Sequence, residues 1–286
     1  MDFEKKHQED LQRLRGFRLL DDDFMTKVFE DISCAELLLR IILNDEGIRV
    51  LEAHSQRGIK NLQGRSVKLD ILAVDSHNRV FNVEVQRSDR GAGAKRARYN
   101  SALIDANVTE PGDQYEDLNE TFVIFITEND VMKAGLPIYH IDRVVRENGK
   151  LFEDEEHIIY VNSQIKDETK LGRLMHDFSC TDAKDMYNKV LADRVRYFKE
   201  DERGVEIMCR EMEIMRNQAH EEGIEKGRIM QLIKQVCVKM QKFSSAEEVA
   251  NDLVEQDVPL IQKIMNVAPD FAPDYNVNDI YNALKL

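Results

Sequence analysis

Between Lys68 and Gln86 the sequence KLDILAVDSHNRVFNVEVQ sets two carboxylates and an amide among strand-forming residues. The apolar residues alternate on either side of the polar DSHNR, which reads as two β-strands joined by a turn centred on His77. In that antiparallel register Asp70 faces Glu84, Lys68 faces Gln86 and Leu72 faces Asn82 on one side; Leu69, Ile71 and Ala73 meet Val85, Val83 and Phe81 on the other. Carboxylates opposed in this way sit about 5 Å apart at Cβ. Their repulsion is about 3 kcal/mol at an effective dielectric of 20. A nearby lysine or arginine, a carboxyl kept protonated, or a divalent cation would offset it. Oxygen ligands without thiolate or imidazole favour Mg²⁺ or Mn²⁺ over Zn²⁺. Spacing alone also permits a plainer reading, in which these are solvated groups on the outer face of a two-faced sheet.

Directly after the hairpin, RSDRGAGAKRAR (87 to 98) carries Arg87, Arg90, Lys95, Arg96 and Arg98 against Asp89 alone. Such a run is either a solvated face or a contact for a phosphate backbone. The formal net charge of -14 excludes a protein that coats nucleic acid by bulk electrostatics, so any contact with DNA has to be local. With 286 residues, 42% hydrophobic and 33% charged, the chain suits a folded protein with long exposed helices. No stretch reaches the roughly 20 apolar residues of a membrane span and the start lacks an apolar signal core, so a cytoplasmic protein without membrane contact is expected. Cys34, Cys180, Cys209 and Cys237 form no C-x-x-C pair, and His140 and His176 sit in apolar surroundings; neither a disulfide framework nor a zinc site is indicated.

The elements that must hold the hairpin follow from periodicity. Residues 21–43 read as one core helix with Asp22 or Asp23 at its cap, 47–60 as β-like, and 91–107 as a helix. TFVIFITEND (121 to 130) is a continuous apolar run, expected as a central strand buried on both faces. Shorter strands fit GLPIYHIDRVV and EEHIIYVNSQ, giving a mixed α/β layer. From residue 182 strand signals vanish. Val205, Met208, Met212, Met215 and Ala219 form a heptad seam, which can either join two copies of the chain into a homo-oligomer or lie on its own domain. The tail shows a capping box from Ser245 to Glu248, then Pro259 at the start of a second helix, and reads as a helical hairpin without the basic face of a DNA reader. The division expected is an N-terminal segment 1–20, a core 21–181, a long helical segment 182–243 and the hairpin 244–286.

The LD and E-V-Q of the hairpin resemble the PD-(D/E)XK nuclease motif. DDDFMTKVFEDISCAELLLRIIL, GRSVKLDILAVD, VFNVEVQRSDRGAGAKRARYNSALID, FVIFITENDVMKAGLPIYHIDRV, HIIYVN and LGRLMHDFSC are similar, in order, to the recombination-promoting nuclease and transposase family of that superfamily. The resemblance implies an α/β, restriction-endonuclease-like αβββαβ core with a mixed sheet, followed by a helical C-terminal region. It implies a Mg²⁺-dependent DNA endonuclease associated with recombination or transposition, with Mn²⁺ as a substitute. Asp70 and Glu84 match the metal-binding acids, and Gln86 stands where the motif has lysine. A glutamine supplies only a dipole at that position, so Lys68 is the expected source of the missing charge. Arg98, with Arg96 or Lys95, is expected to approach the phosphate backbone, and Glu36 is a candidate accessory acid on the first helix. Two other readings stay open: a nuclease fold that binds DNA without cutting it, and a helical interaction scaffold.

Overall fold

The computed structural model describes residues 3–61, 64–87, 91–109 and 111–284. Two compact units divide the chain, Met1–Cys209 and Arg210–Leu286. The first opens with α1 (Phe3–Gly16), α2 (Asp22–Phe29) and α3 (Ile32–Leu43). It continues through β1 (Val50–Ile59), β2 (Val67–Asp75), β3 (Val80–Gln86), α4 (Ala94–Val108), β4 (Thr121–Thr127), β5 (Ile138–Ile141) and β6 (Glu156–Asn162). Next come α5 (Lys170–Ser179) and α6 (Lys189–Glu200), and α7 (Glu202–Lys239) runs from the first unit into the second.

The stretch expected as one helix over 21–43 is two. Asp31 interrupts it: its carboxylate accepts the backbone N–H groups of Ser33 and Cys34 at 3.0 and 3.2 Å and so begins α3 afresh. The N-cap of α2 is Asp21, not Asp22 or Asp23, which leaves those two carboxylates in the first turn. The break lets both helices bury apolar faces, with Phe24, Val28 and Phe29 from α2 and Leu38 and Leu39 from α3. Phe29 stacks on Phe178 of α5 with centroids 5.7 Å apart, and Phe24 meets Phe198 of α6 edge-on at 6.3 Å.

The six strands form one mixed sheet in the order β1-β2-β3-β4-β6-β5. Strands β1 to β3 are an antiparallel meander, β3, β4 and β6 run parallel, and β5 returns antiparallel to β6. Every residue of β4 is buried, as its unbroken apolar run requires of a central strand. Parallel pairing of β3 with β4 demands a crossover, and α4 supplies it. Ala97 of α4 packs among Val123, Phe125 and Tyr160 on one face of the sheet. The β2–β3 turn closes on Asp75, whose Oδ1 accepts the N–H groups of His77 and Arg79, both at 2.9 Å.

In the second unit the tail expected as a hairpin has three helices, α8 (Ala246–Leu253), α9 (Val258–Val267) and α10 (Val277–Leu284). They share a core with the last turns of α7 through Ile233, Val236, Val249, Ile261, Ile264 and Ile280. The Ser245–Glu248 capping box is formed, and Asp257 caps α9 just ahead of Pro259. Among the described residues no helix is long and apolar enough to cross a membrane.

Removing the Asp31 cap orphans two N–H donors at the start of α3. Asp31→Ala is expected to cost about 1 kcal/mol in urea unfolding, with little change at the sheet.

Candidate active site

Strands β2 and β3 pair in the register read from the sequence, Ile71 with Val83, Leu72 with Asn82, Ala73 with Phe81 and Val74 with Val80. Beyond Ile71 and Val83 the backbone pairing stops. A side chain takes its place: Asp70 Oδ2 accepts the Val85 N–H at 3.1 Å. The alternation of β2 breaks here as well. Leu69 shares a hydrophobic cluster with Leu72, Val74, Leu103 and Ile104, although strict alternation would separate it from Leu72 and Val74. On the neighbouring strand Gln56 lies between the Ser55–Ile71 and Arg57–Leu69 pairs with φ 51, a left-handed residue facing the irregularity. Two carboxylates therefore stand where the strands part, Asp70 7% exposed and Glu84 fully buried.

Glu84 is held from three sides. Arg96 of α4 forms an ion pair with Oε2 and donates a second bond to the Gly91 carbonyl at 3.1 Å. Asn82, two residues back on the same strand face, donates to Oε1 at 3.1 Å. Asn100, one turn beyond Arg96, donates to Asn82 Oδ1 at 3.2 Å and lies 3.5 Å from Oε1. Asn100 is 1% exposed, and its Oδ1 has no hydrogen-bond partner among the described residues. A buried acceptor left unpaired in a polar network is costly unless something fills it.

Asp22 is the third acid. From the first turn of α2 it acts electrostatically on both Asp70 and Glu84, as Arg96 does. Burial raises the Asp22 carboxyl above its usual range and Asp23 adds to this, while Lys68, Arg96 and Gln56 draw it back down. Burial also lifts Glu84, against Arg96, Asn82 and the Asp70 N–H. Asp70 moves furthest, up to about 8, through burial, then Glu84, then Asp22. The repulsion foreseen between facing carboxylates is thus met in two of the foreseen ways at once, by an arginine and by a carboxyl that holds its proton.

The remaining expected site residues divide. The Gln86 amide lies against Gly91, where a Cβ would fall 1.6 Å from Oε1. Lys68 is exposed and pairs through its backbone with Gly58; because the β2–β3 pairing has ended, its expected opposition to Gln86 is not formed, and its charge acts on Asp22 instead. Arg87 is engaged by Asp21 at 2.8 Å and Glu128 at 3.2 Å. Lys95 and Arg98 are exposed and line a groove with Ile141, Arg143 and Ile158, while Arg96, expected at the phosphate backbone, is turned to Glu84. Arg90 lies outside the described residues. Glu36 is not brought to the site: it pairs with Arg40 and accepts the Val50 N–H at 3.0 Å, fastening α3 to β1.

Residues 36–171 match the sequence model of the PD-(D/E)XK nuclease family transposases. In searches of curated proteins and of solved structures nothing matches the chain. The mixed sheet with its α4 crossover is the α/β fold that suits PD-(D/E)XK proteins, and nucleases of this family generally work with divalent metal ions. Asp70, Glu84, Arg96 and Asn100 fall inside the matched PD-(D/E)XK segment, and Asp22 lies before it. Three participants, Asp22, Asn82 and Asn100, escape sequence reading. Asp22 reads there as a helix cap, although a helix capped one residue earlier frees it. The i, i+4 spacing of Arg96 and Asn100 puts both on one helix face, and the period of two linking Asn82 to Glu84 puts them on one strand face.

The raised Asp70 sets a pH dependence. Between the ordinary value of 3.8 and about 8, the folded protein retains a proton that the unfolded chain has released, so stability falls as pH rises through that window. In the metal-free protein Asp70→Asn is expected to be more stable than wild type at pH 8 by more than about 1 kcal/mol, the worth of one pKa unit. Urea denaturation in a chelator should show that advantage shrinking towards pH 4.

Proposed function

We propose that this chain is a Mg²⁺-dependent endonuclease that hydrolyses phosphodiester bonds in DNA during recombination or transposition. The observation that carries the reading is a charge deficit. Asp22, Asp70 and Glu84 converge electrostatically; among the described residues Arg96 acts against all three and Lys68 against Asp22. Buried carboxylates in excess of their counter-charges fit a cation, and an all-oxygen donor set with the unpaired Asn100 Oδ1 nearby fits a hard one. Asp70 and Glu84 would hold it. When bound, such an ion supplies Lewis-acid charge that polarises a phosphate oxygen and acidifies a water.

The protein's own groups do the positioning. Arg96 fixes Glu84 with one N–H and Gly91 with another, and its guanidinium keeps further donors that can face a phosphate. Gln86, seated against Gly91, brings both a donor and an acceptor to orient an attacking water, without the charge a lysine would add. Lys68 compensates from the side of Asp22. Lys95 and Arg98 are the exposed cations of α4 that meet the DNA backbone, a contact that weakens with salt. A DNA-binding protein without cleavage is favoured by one observation, that Arg96 already occupies Glu84.

Supercoiled DNA separates the two. Mg²⁺-dependent nicking lost in both Asp70→Ala and Glu84→Ala supports the nuclease; salt-sensitive binding without nicking supports the alternative. Gly91→Ala pushes the Gln86 amide aside and is expected to slow nicking by roughly 10–100-fold, the usual cost of disturbing a group that orients a metal site. Glu36→Gln is expected to leave the nicking rate within about twofold of wild type while lowering stability by about 1 kcal/mol.

A further inference from the structure

Away from the sheet, the C-terminal end of α5 gathers a different donor set. His176 and Cys180 stand four residues apart on one helix face, and Asp177 lies between them, fully buried. His176 Nδ1 is 3.5 Å from Cys180 Sγ and 3.5 Å from Asp177 Oδ1. Among the described residues these three ligand atoms lie within 4.8 Å of one another. We propose that His176, Asp177 and Cys180 bind a Zn²⁺ ion.

The two separations from His176 Nδ1, 3.5 Å to sulfur and 3.5 Å to oxygen, are those of a tetrahedron's edges. Zinc bonds of about 2.3 Å to sulfur and about 2.0–2.2 Å to nitrogen and oxygen give ligand separations of roughly 3.4–3.6 Å. The carboxylate is already aimed: Oδ1 accepts the Tyr187 N–H at 2.7 Å, and Oδ2 accepts the Asn188 N–H and side-chain amide at 2.8 and 2.7 Å. Such hydrogen bonds orient a ligand and leave Oδ1 a free lone pair. Tyr187 also packs on the His176 ring at 4.7 Å, which fixes the imidazole. Side-chain exposure of 36% at His176 gives an ion a way in and leaves the fourth position to water.

Charge points the same way. The carboxylates of Asp177, Asp185 and Asp182 act on Cys180, against the charge of Lys166. That excess of negative charge attracts a cation. On coordination the proton leaves to solvent and the sulfur binds as thiolate. Soft sulfur and imidazole separate this set from the all-oxygen set at Asp70 and Glu84. The ion would tie the end of α5 to the 180–188 connection that leads into α6.

Cobalt reports such a site through its sulfur. The full chain, stripped of metal and titrated with Co²⁺, is expected to develop a near-ultraviolet thiolate-to-cobalt charge-transfer band that saturates at one ion per chain and disappears when Zn²⁺ is added. Cys180→Ser should abolish the band, and His176→Ala should weaken Co²⁺ binding at least about tenfold. Asp70→Asn, Glu84→Gln and Cys34→Ser should keep it. X-ray absorption on the zinc-loaded wild type, which needs no variant to fold, should give a shell of one sulfur with nitrogen and oxygen. No band, a band that survives Cys180→Ser, or a shell without sulfur overturns the proposal.

Discussion

Where β2 and β3 stop pairing, side chains take over from the backbone ladder. Asp70 takes the Val85 N–H, Glu84 is held by Arg96 and Asn82, and both acids are thereby drawn into a low-dielectric position they would avoid as free side chains. The parting of the strands does two things at once. It leaves N–H groups that need acceptors, and it opens a place where acidic oxygens can sit close together without occupying an ordinary pleated face. Gln56 on β1 is left-handed at the same level, so the irregularity runs across three strands.

The rest of the first unit makes that irregularity tolerable. Parallel pairing holds Glu84 beside Phe125 and Phe125 beside Tyr160, and those two rings stack at 5.3 Å to form a stiff shoulder. Arg96 reaches over Phe125, its guanidinium carbon 5.9 Å from the ring centroid, on its way to Glu84. Tyr160 ties the loop before α4 to the sheet by donating to the Ala92 carbonyl at 2.9 Å. One helix therefore carries the neutralising charge, an amide of the network and the packing that keeps both in place. It can do so because a parallel crossover must return along the sheet it has just left.

Much of this is legible from residue types. Alternation sets the hairpin register, an unbroken apolar run marks β4, and a capping box followed by Pro259 marks the starts of α8 and α9. What stays hidden depends on atoms far apart in the chain. Asp31 looks like any acid inside a helical pattern, and only its carboxylate meeting two N–H groups makes it a boundary. Periodicity cannot signal the break in alternation at Asp70, because the left-handed backbone at Gln56 and the end of the β2–β3 pairing leave no mark on composition. Glu36 has the right charge and the right helix type for a metal site, and it is spent on Arg40 and the Val50 N–H instead. The acid that does approach, Asp22, differs from its neighbours Asp21 and Asp23 only by where the helix begins.

The glutamine at position 86 changes how positive charge reaches the site. A lysine there would bring it along the strand; here it comes from α4 through Arg96 and, on the side of Asp22, from Lys68. An arginine paired with a buried carboxylate is a fixed donor array rather than a mobile ammonium, and it gains that fixity by giving up part of its reach. The cost falls on the basic run. Of its five cations, Arg96 serves Glu84 and Arg87 serves Asp21 and Glu128, while Arg90 is outside the described residues. Lys95 and Arg98 are left facing solvent, in a chain whose formal net charge is -14. Two such cations cannot hold DNA by long-range attraction. On the proposed nuclease reading, a productive encounter with DNA would draw on contacts at the site itself, where Arg96 and the converging acids would meet a phosphate.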